Sequence, residues 1–144
     1  MVTAVLEMLL RVAGVGQLAI ALTSLAIPRA LGWRAELAAL RPLTRQVFWT
    51  YAAYIFSFNI AFGILSLLAA DQLVARTPLA APIVGFIALY WAARVGVQLF
   101  YYDLTALHAS SRDRAAELVA TAAFGALAIV YTVAFLADIG AVRL

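Results

Sequence analysis

The chain has 144 residues, enough for one domain, and 67% belong to the apolar set AVILMFWYC, well above the roughly 45–50% of soluble domains. Charged residues are only 12%, so a soluble fold could not cover its surface with polar groups, and lipid is the expected solvent. The net charge of +3 comes from ten arginines and no lysine, spaced between apolar runs rather than gathered into a nucleic-acid footprint, and the lack of cysteine excludes disulfides, thiolate metal sites and thiol redox chemistry.

The first apolar run covers about Ala4–Ile27. It has no basic leader and carries Glu7 and Arg11 where a signal peptide would be purely apolar, so the reading keeps it in the mature protein as a span. Glu7 and Arg11 stand at i, i+4 with the acid first, the favourable order for an ion pair on a helix. Gly14, Gln17, Ala21 and Ser24 continue that stripe as a small, polar packing face.

The segment Pro28–Gln46 follows, with Arg29, Arg34, Arg41 and Arg45. Within it Trp33, Leu37 and Leu40 repeat at helical spacing while Arg34 and Arg41 lie on another side, which predicts a short interfacial helix. The second span is about Val47–Ala69. It has two small or polar stripes, Thr50/Tyr54/Ser57/Ala61 and Asn59/Gly63/Ser66, and is expected to be touched from both sides. A connection Ala70–Ala81 holds Asp71 and Arg76. The third span is about Pro82–Tyr102, and Tyr90, Arg94, Gln98 and Tyr101 share one of its faces. Asp103–Arg114 contains the lone His108 and a capping-box pair, Ser110 and Asp113, ahead of the fourth span. That span, about Ala115–Ala137, carries Glu117, Thr121, Gly125, Ala128 and Thr132 on one face. No proline lies in a span interior, so four unbroken helices are expected.

These readings predict an all-α membrane protein, a bundle of four transmembrane helices with a short interfacial segment between helices one and two, forming one integral membrane domain over residues 1–144. The first and third connections carry six of the ten arginines, which places them in the cytoplasm and both termini outside. Arginine-only, alanine-rich usage fits a GC-rich bacterial genome, and hence a bacterial inner membrane.

Arg94 is the hardest residue to place. It lies near the middle of its span, about eight residues or ~12 Å from the nearer boundary, beyond the reach of its own side chain. Its expected level is shared by Gln17 and Asn59 and by no carboxylate. A buried cation needs acceptors. They are expected from a network of Asn59, Gln17, tyrosines and water, from Glu7 through tilt, or from a bound lipid, quinone or acidic metabolite. Arg94, Gln98, Tyr90, Asn59 and Gln17 are therefore the candidate ligand site, with Glu7 and Arg11 as a structural ion pair.

No catalytic or metal motif stands in the sequence, and no cofactor is expected beyond a possible lipid or quinone. A single histidine cannot make a two-histidine haem site, and His108 reads as solvated rather than as an axial ligand of haem or a chlorin. The leading expectation is a non-catalytic accessory subunit whose partners are the bilayer and other integral membrane subunits or copies of itself. The alternatives are a small-molecule or lipid binding or transport protein, and a quinone- or lipid-linked membrane enzyme. In size and span number the chain resembles small four-helix bacterial membrane proteins of the DoxX-like kind, a resemblance that implies no site residue.

The topology is directly testable. Arg41→Cys and Arg76→Cys variants should react with an impermeant thiol reagent from opposite sides of the membrane; labelling from one side would overturn the four-span order.

Overall fold

A computed structural model of the chain describes residues 2–102 and 111–142, with side chains from 3 onward in the first stretch and from 114 onward in the second. It is 84% helix, with no strand among the described residues. In chain order the helices are α1 (Val2–Ser24), α2 (Ile27–Ala30), α3 (Trp33–Ala38), α4 (Pro42–Leu68), α5 (Ala70–Leu73), α6 (Ala80–Phe100) and α7 (Ser111–Asp138). Four helical stretches are long and apolar enough to cross a membrane: Thr3–Ala30, Pro42–Leu68, Ala80–Phe100 and Arg114–Asp138. The shortest has 21 residues, which at about 1.5 Å each matches a hydrocarbon core of ~30 Å.

Prolines sit where helices tolerate them. Pro42 opens α4 and Pro82 lies in the first turn of α6, positions whose amide protons have no intrahelical acceptor. The short helix expected in this connection is found as α3, separated from α2 by Gly32 in the left-handed region at φ 64°. Leu37 is buried and Trp33 half-buried, but Leu40 falls beyond the end of α3 and is exposed. The second span starts at Pro42 rather than near Val47, so Arg45 lies inside its first turn.

The chain divides into two compact units. One comprises residues 11–68. Here α1 and α4 run antiparallel and approach closely at two glycines. A Cβ on Gly14 would lie 2.8 Å from the Gly63 carbonyl oxygen and 2.9 Å from the Leu67 amide nitrogen. One on Gly63 would lie 2.8 Å from Leu18 Cγ. This is the small-residue contact that lets helix backbones meet without a hydrophobic driving force. Gly14, Gln17 and Ala21 are buried, as their stripe predicts. On α4 only one of the two expected faces is covered. Asn59, Phe62, Gly63 and Ser66 are buried, whereas Thr50, Tyr54, Ser57 and Ala61 are exposed. A polar stripe alone does not demand a neighbour, because a hydroxyl can bond its own helix: Thr50 Oγ1 donates to the Gln46 carbonyl at 2.9 Å.

The other unit comprises residues 1–10 and 69–144. Its main seam joins α6 and α7, again antiparallel. Phe135 lies over Gly85, where a Cβ would come within 2.9 Å of the ring. Further along, the Trp91 and Phe124 rings stack tilted at 5.4 Å. The buried residues of α6 are Ala80, Val84, Ile87, Ala88 and Trp91; on α7 they include Phe124, Leu127, Tyr131, Ala134 and Ala137. The small-polar face of α7 lies beside this seam: Glu117, Thr121, Gly125 and Ala128 are half-buried and Thr132 is exposed. Large side chains offer more dispersion contact than small ones, and Gly85 makes room for one of them. Between the helices, Arg76 adopts φ 54°, its backbone bonds the Asp138 carboxylate, and Thr77 Oγ1 accepts from the Ala80 amide at the start of α6.

The glycine contact gives a paired prediction. Gly14→Val should lower the midpoint of unfolding in SDS, followed by circular dichroism, by an amount equivalent to about 1–3 kcal/mol, since backbone is all it can displace. Gly16 has nothing within 4 Å of its added Cβ, so Gly16→Ala should leave the midpoint unchanged or raise it. Equal shifts in the two variants would refute the close approach.

Candidate functional site

Arg94 stands on the α6 stripe that continues Ile87 and Trp91, and it is half-buried. Its guanidinium donates from Nη1 to the Tyr102 hydroxyl oxygen at 3.1 Å. The guanidinium carbon also lies 5.6 Å from the Tyr102 ring centroid and 5.1 Å from that of Phe124. Two π-faces and a phenol oxygen therefore surround one side of the cation. None of these three groups carries a charge. An aromatic face contributes ~0.5–1 kcal/mol to an exposed cation and about 2 when water is excluded.

Local backbone geometry makes this possible. The α6 helix ends at Phe100, and the amides of Tyr101 and Tyr102 both donate to the Val97 carbonyl at 3.1 Å. This widened last turn, closed by an i→i−5 bond, sets the Tyr102 hydroxyl against an arginine eight residues earlier. On the other side, Phe124 is fixed by its stack with Trp91, which is only 1% exposed. Trp91 also meets Tyr90 edge-on at 5.4 Å. The cation is thus held by an aromatic cluster drawn from both α6 and α7.

The sequence-predicted residues are distributed as follows. Tyr90 and Gln98 flank Arg94 on α6, both half-buried, while Tyr101 is 80% exposed. Asn59 and Gln17 belong to the unit of residues 11–68 and are buried. The Asn59 amide nitrogen donates to the Ile55 carbonyl at 3.0 Å. Arg11 donates to the Leu67 carbonyl at 3.5 Å. That oxygen is among the last four of α4, which lack an intrahelical donor, and a cation is favoured at a helix C-terminus. Glu7 is half-buried one turn earlier on α1. The expectations for His108, Ser110 and Asp113 lie outside the described residues and side chains.

A tyrosine acceptor for Arg94 was expected, but Tyr102 was not named as the one, and Phe124 was not expected at all. Tyr102 was legible only as an interfacial aromatic; its spacing of eight residues from Arg94 matches the stripe but lies beyond the last helical residue. Phe124 sits on an apolar face that a search for polar neighbours passes over. No group of three or more His, Cys, Asp or Glu side chains suited to a metal ion occurs among the described residues. A second feature is an arginine-lined cavity of about 570 Å³ at Leu25, Pro28, Arg29, Gly32, Arg34, Ala35 and Trp49. Compared with known protein families, curated proteins and solved structures, the chain matches none.

The cluster predicts a graded series. Tyr102→Phe keeps the ring and removes the acceptor, and should cost about 1.5 kcal/mol, the low end for a hydrogen bond to a charged group because Tyr102 is partly exposed. Phe124→Leu removes a π-face and the Trp91 stack together and should cost more. Circular dichroism during SDS titration reads both; unchanged midpoints in both variants would show that the cluster does not hold Arg94.

Proposed function

We propose that the protein is a small multi-pass membrane protein with a non-catalytic role, an accessory or structural subunit of a larger membrane assembly or of its own oligomer. Its setting in this reading is a bacterial inner membrane, with both termini outside and the first and third connections in the cytoplasm. The observation that supports it is how the chain treats its cations within the candidate spans. Arg94 is engaged by Tyr102 and Phe124, and Arg11 by a helix-end carbonyl. Both act as internal fasteners, which is the work expected of polar residues that hold helices together.

A binding, transport or quinone-linked role at Arg94, with Gln98, Tyr90, Asn59 and Gln17, is the competing reading. It has an anionic or carbonyl-bearing ligand accept from Arg94 donors other than the one given to Tyr102.

Native mass spectrometry of the tagged full chain, extracted in mild detergent from the membranes of its source, distinguishes the two. The expected result is a mass above the 15.4 kDa of one chain, made up by other integral chains in fixed ratio or by further copies. A single chain carrying one stoichiometric quinone or metabolite, lost on Arg94→Ala, would overturn the proposal.

A further inference from the structure

The cavity at the turn between α1 and α4 has features of a built site. Arg29 lies in the last turn of α2 and Arg34 in the first turn of α3, five residues apart. On one continuous helix that spacing would turn the two side chains roughly 140° from each other. Gly32, in the left-handed region, interrupts the helix between them, and both arginines line the same cavity. Both are exposed, and neither guanidinium has a hydrogen-bond or ion-pair partner among the described residues. The carboxylate of α3, Glu36, is not part of the lining. Two like charges at one cavity repel, and an anion placed between them reverses the sign of that interaction.

The rest of the lining is apolar. Leu25 and Pro28 form part of the wall, and Trp49 from α4 forms another part. Trp49 belongs to a cluster of edge-on rings, 6.3 Å from Trp33 and 5.6 Å from Phe48. Such clusters of tryptophan concentrate at the level of lipid headgroups. The depression is open on one side rather than enclosed, so a ligand would lie against it with the rest of its surface outside. Guanidinium forks match phosphate oxygens two at a time.

We propose that this cavity binds the phosphate of an anionic phospholipid headgroup, with Arg29 and Arg34 holding the phosphate oxygens and Leu25, Pro28 and Trp49 facing the apolar part of the lipid. The ligand chemistry is a phosphate ester. The apolar wall favours a lipid over free phosphate, which has nothing to place against it.

The test uses the full chain in detergent micelles doped with equal amounts of phosphatidylglycerol and phosphatidylcholine, read by native mass spectrometry. Wild type should retain phosphatidylglycerol selectively. The Arg29→Gln/Arg34→Gln variant should lose that selectivity by roughly 10- to 30-fold, the loss expected for two surface cations near an anionic headgroup. An Arg41→Gln/Arg45→Gln control removes two nearby arginines at the start of α4, outside the lining, and should keep it. The single variants Arg29→Gln and Arg34→Gln, at exposed positions that do not support the fold, should each show an intermediate loss. Displacement of the lipid by excess inorganic phosphate would keep the site but assign it to free phosphate. Equal losses in the double variant and the control, or no selectivity in wild type, would overturn the proposal.

Discussion

A polar group in hydrocarbon has no water to bond, so each one must find its partner within the protein or bear a cost of several kcal/mol. The four helices long and apolar enough to cross a membrane are built as that constraint would require. Backbone groups are satisfied by helices, which make up 84% of the chain. Hydroxyls turn back on their own helix, as Thr23 does to the Ala19 carbonyl and Ser24 to that of Ala21. The arginines are the hard cases, because a guanidinium carries five donors and a charge that cannot be neutralised by deprotonation. The structure meets them in two different ways, with a carbonyl that the end of α4 leaves without an intrahelical donor for Arg11 and with an aromatic cluster for Arg94.

The aromatic solution has a physical logic. A buried carboxylate would pair with Arg94 more strongly, but it would also have to be desolvated, and the net gain of a buried ion pair is often small. Tyrosine and phenylalanine bring partial negative charge on their faces at almost no desolvation cost. They also pack: Phe124 simultaneously stacks on Trp91 and faces Arg94. Polar satisfaction and helix packing are the same contact here.

The two seams use opposite packing. Gly14 and Gly63 bring α1 and α4 together backbone to backbone. Between α6 and α7 a single glycine, Gly85, accommodates the Phe135 ring while Trp91 and Phe124 fill the rest. The connection between α1 and α4 is built differently again. Its break at Gly32 turns one helical segment into two and gathers two arginines at one rim.

Composition and the lengths of the apolar runs determined the class of fold: four helices able to cross a membrane follow from residue type alone, because hydrophobicity and length are local properties. The helical stripe on α1 and the placement of the prolines were equally legible, since both depend on spacing along one helix. Which face of α4 is covered, which face of α7 packs, and what meets Arg94 were decided by tertiary structure. Those outcomes rest on pairs of residues distant in sequence, such as Gly14 with Gly63, Gly85 with Phe135 and Arg94 with Phe124. A periodicity marks a face as distinct; only the shape of the neighbouring helix determines whether that face is buried, and an aromatic ring that serves as an acceptor looks, in sequence, like any other apolar residue.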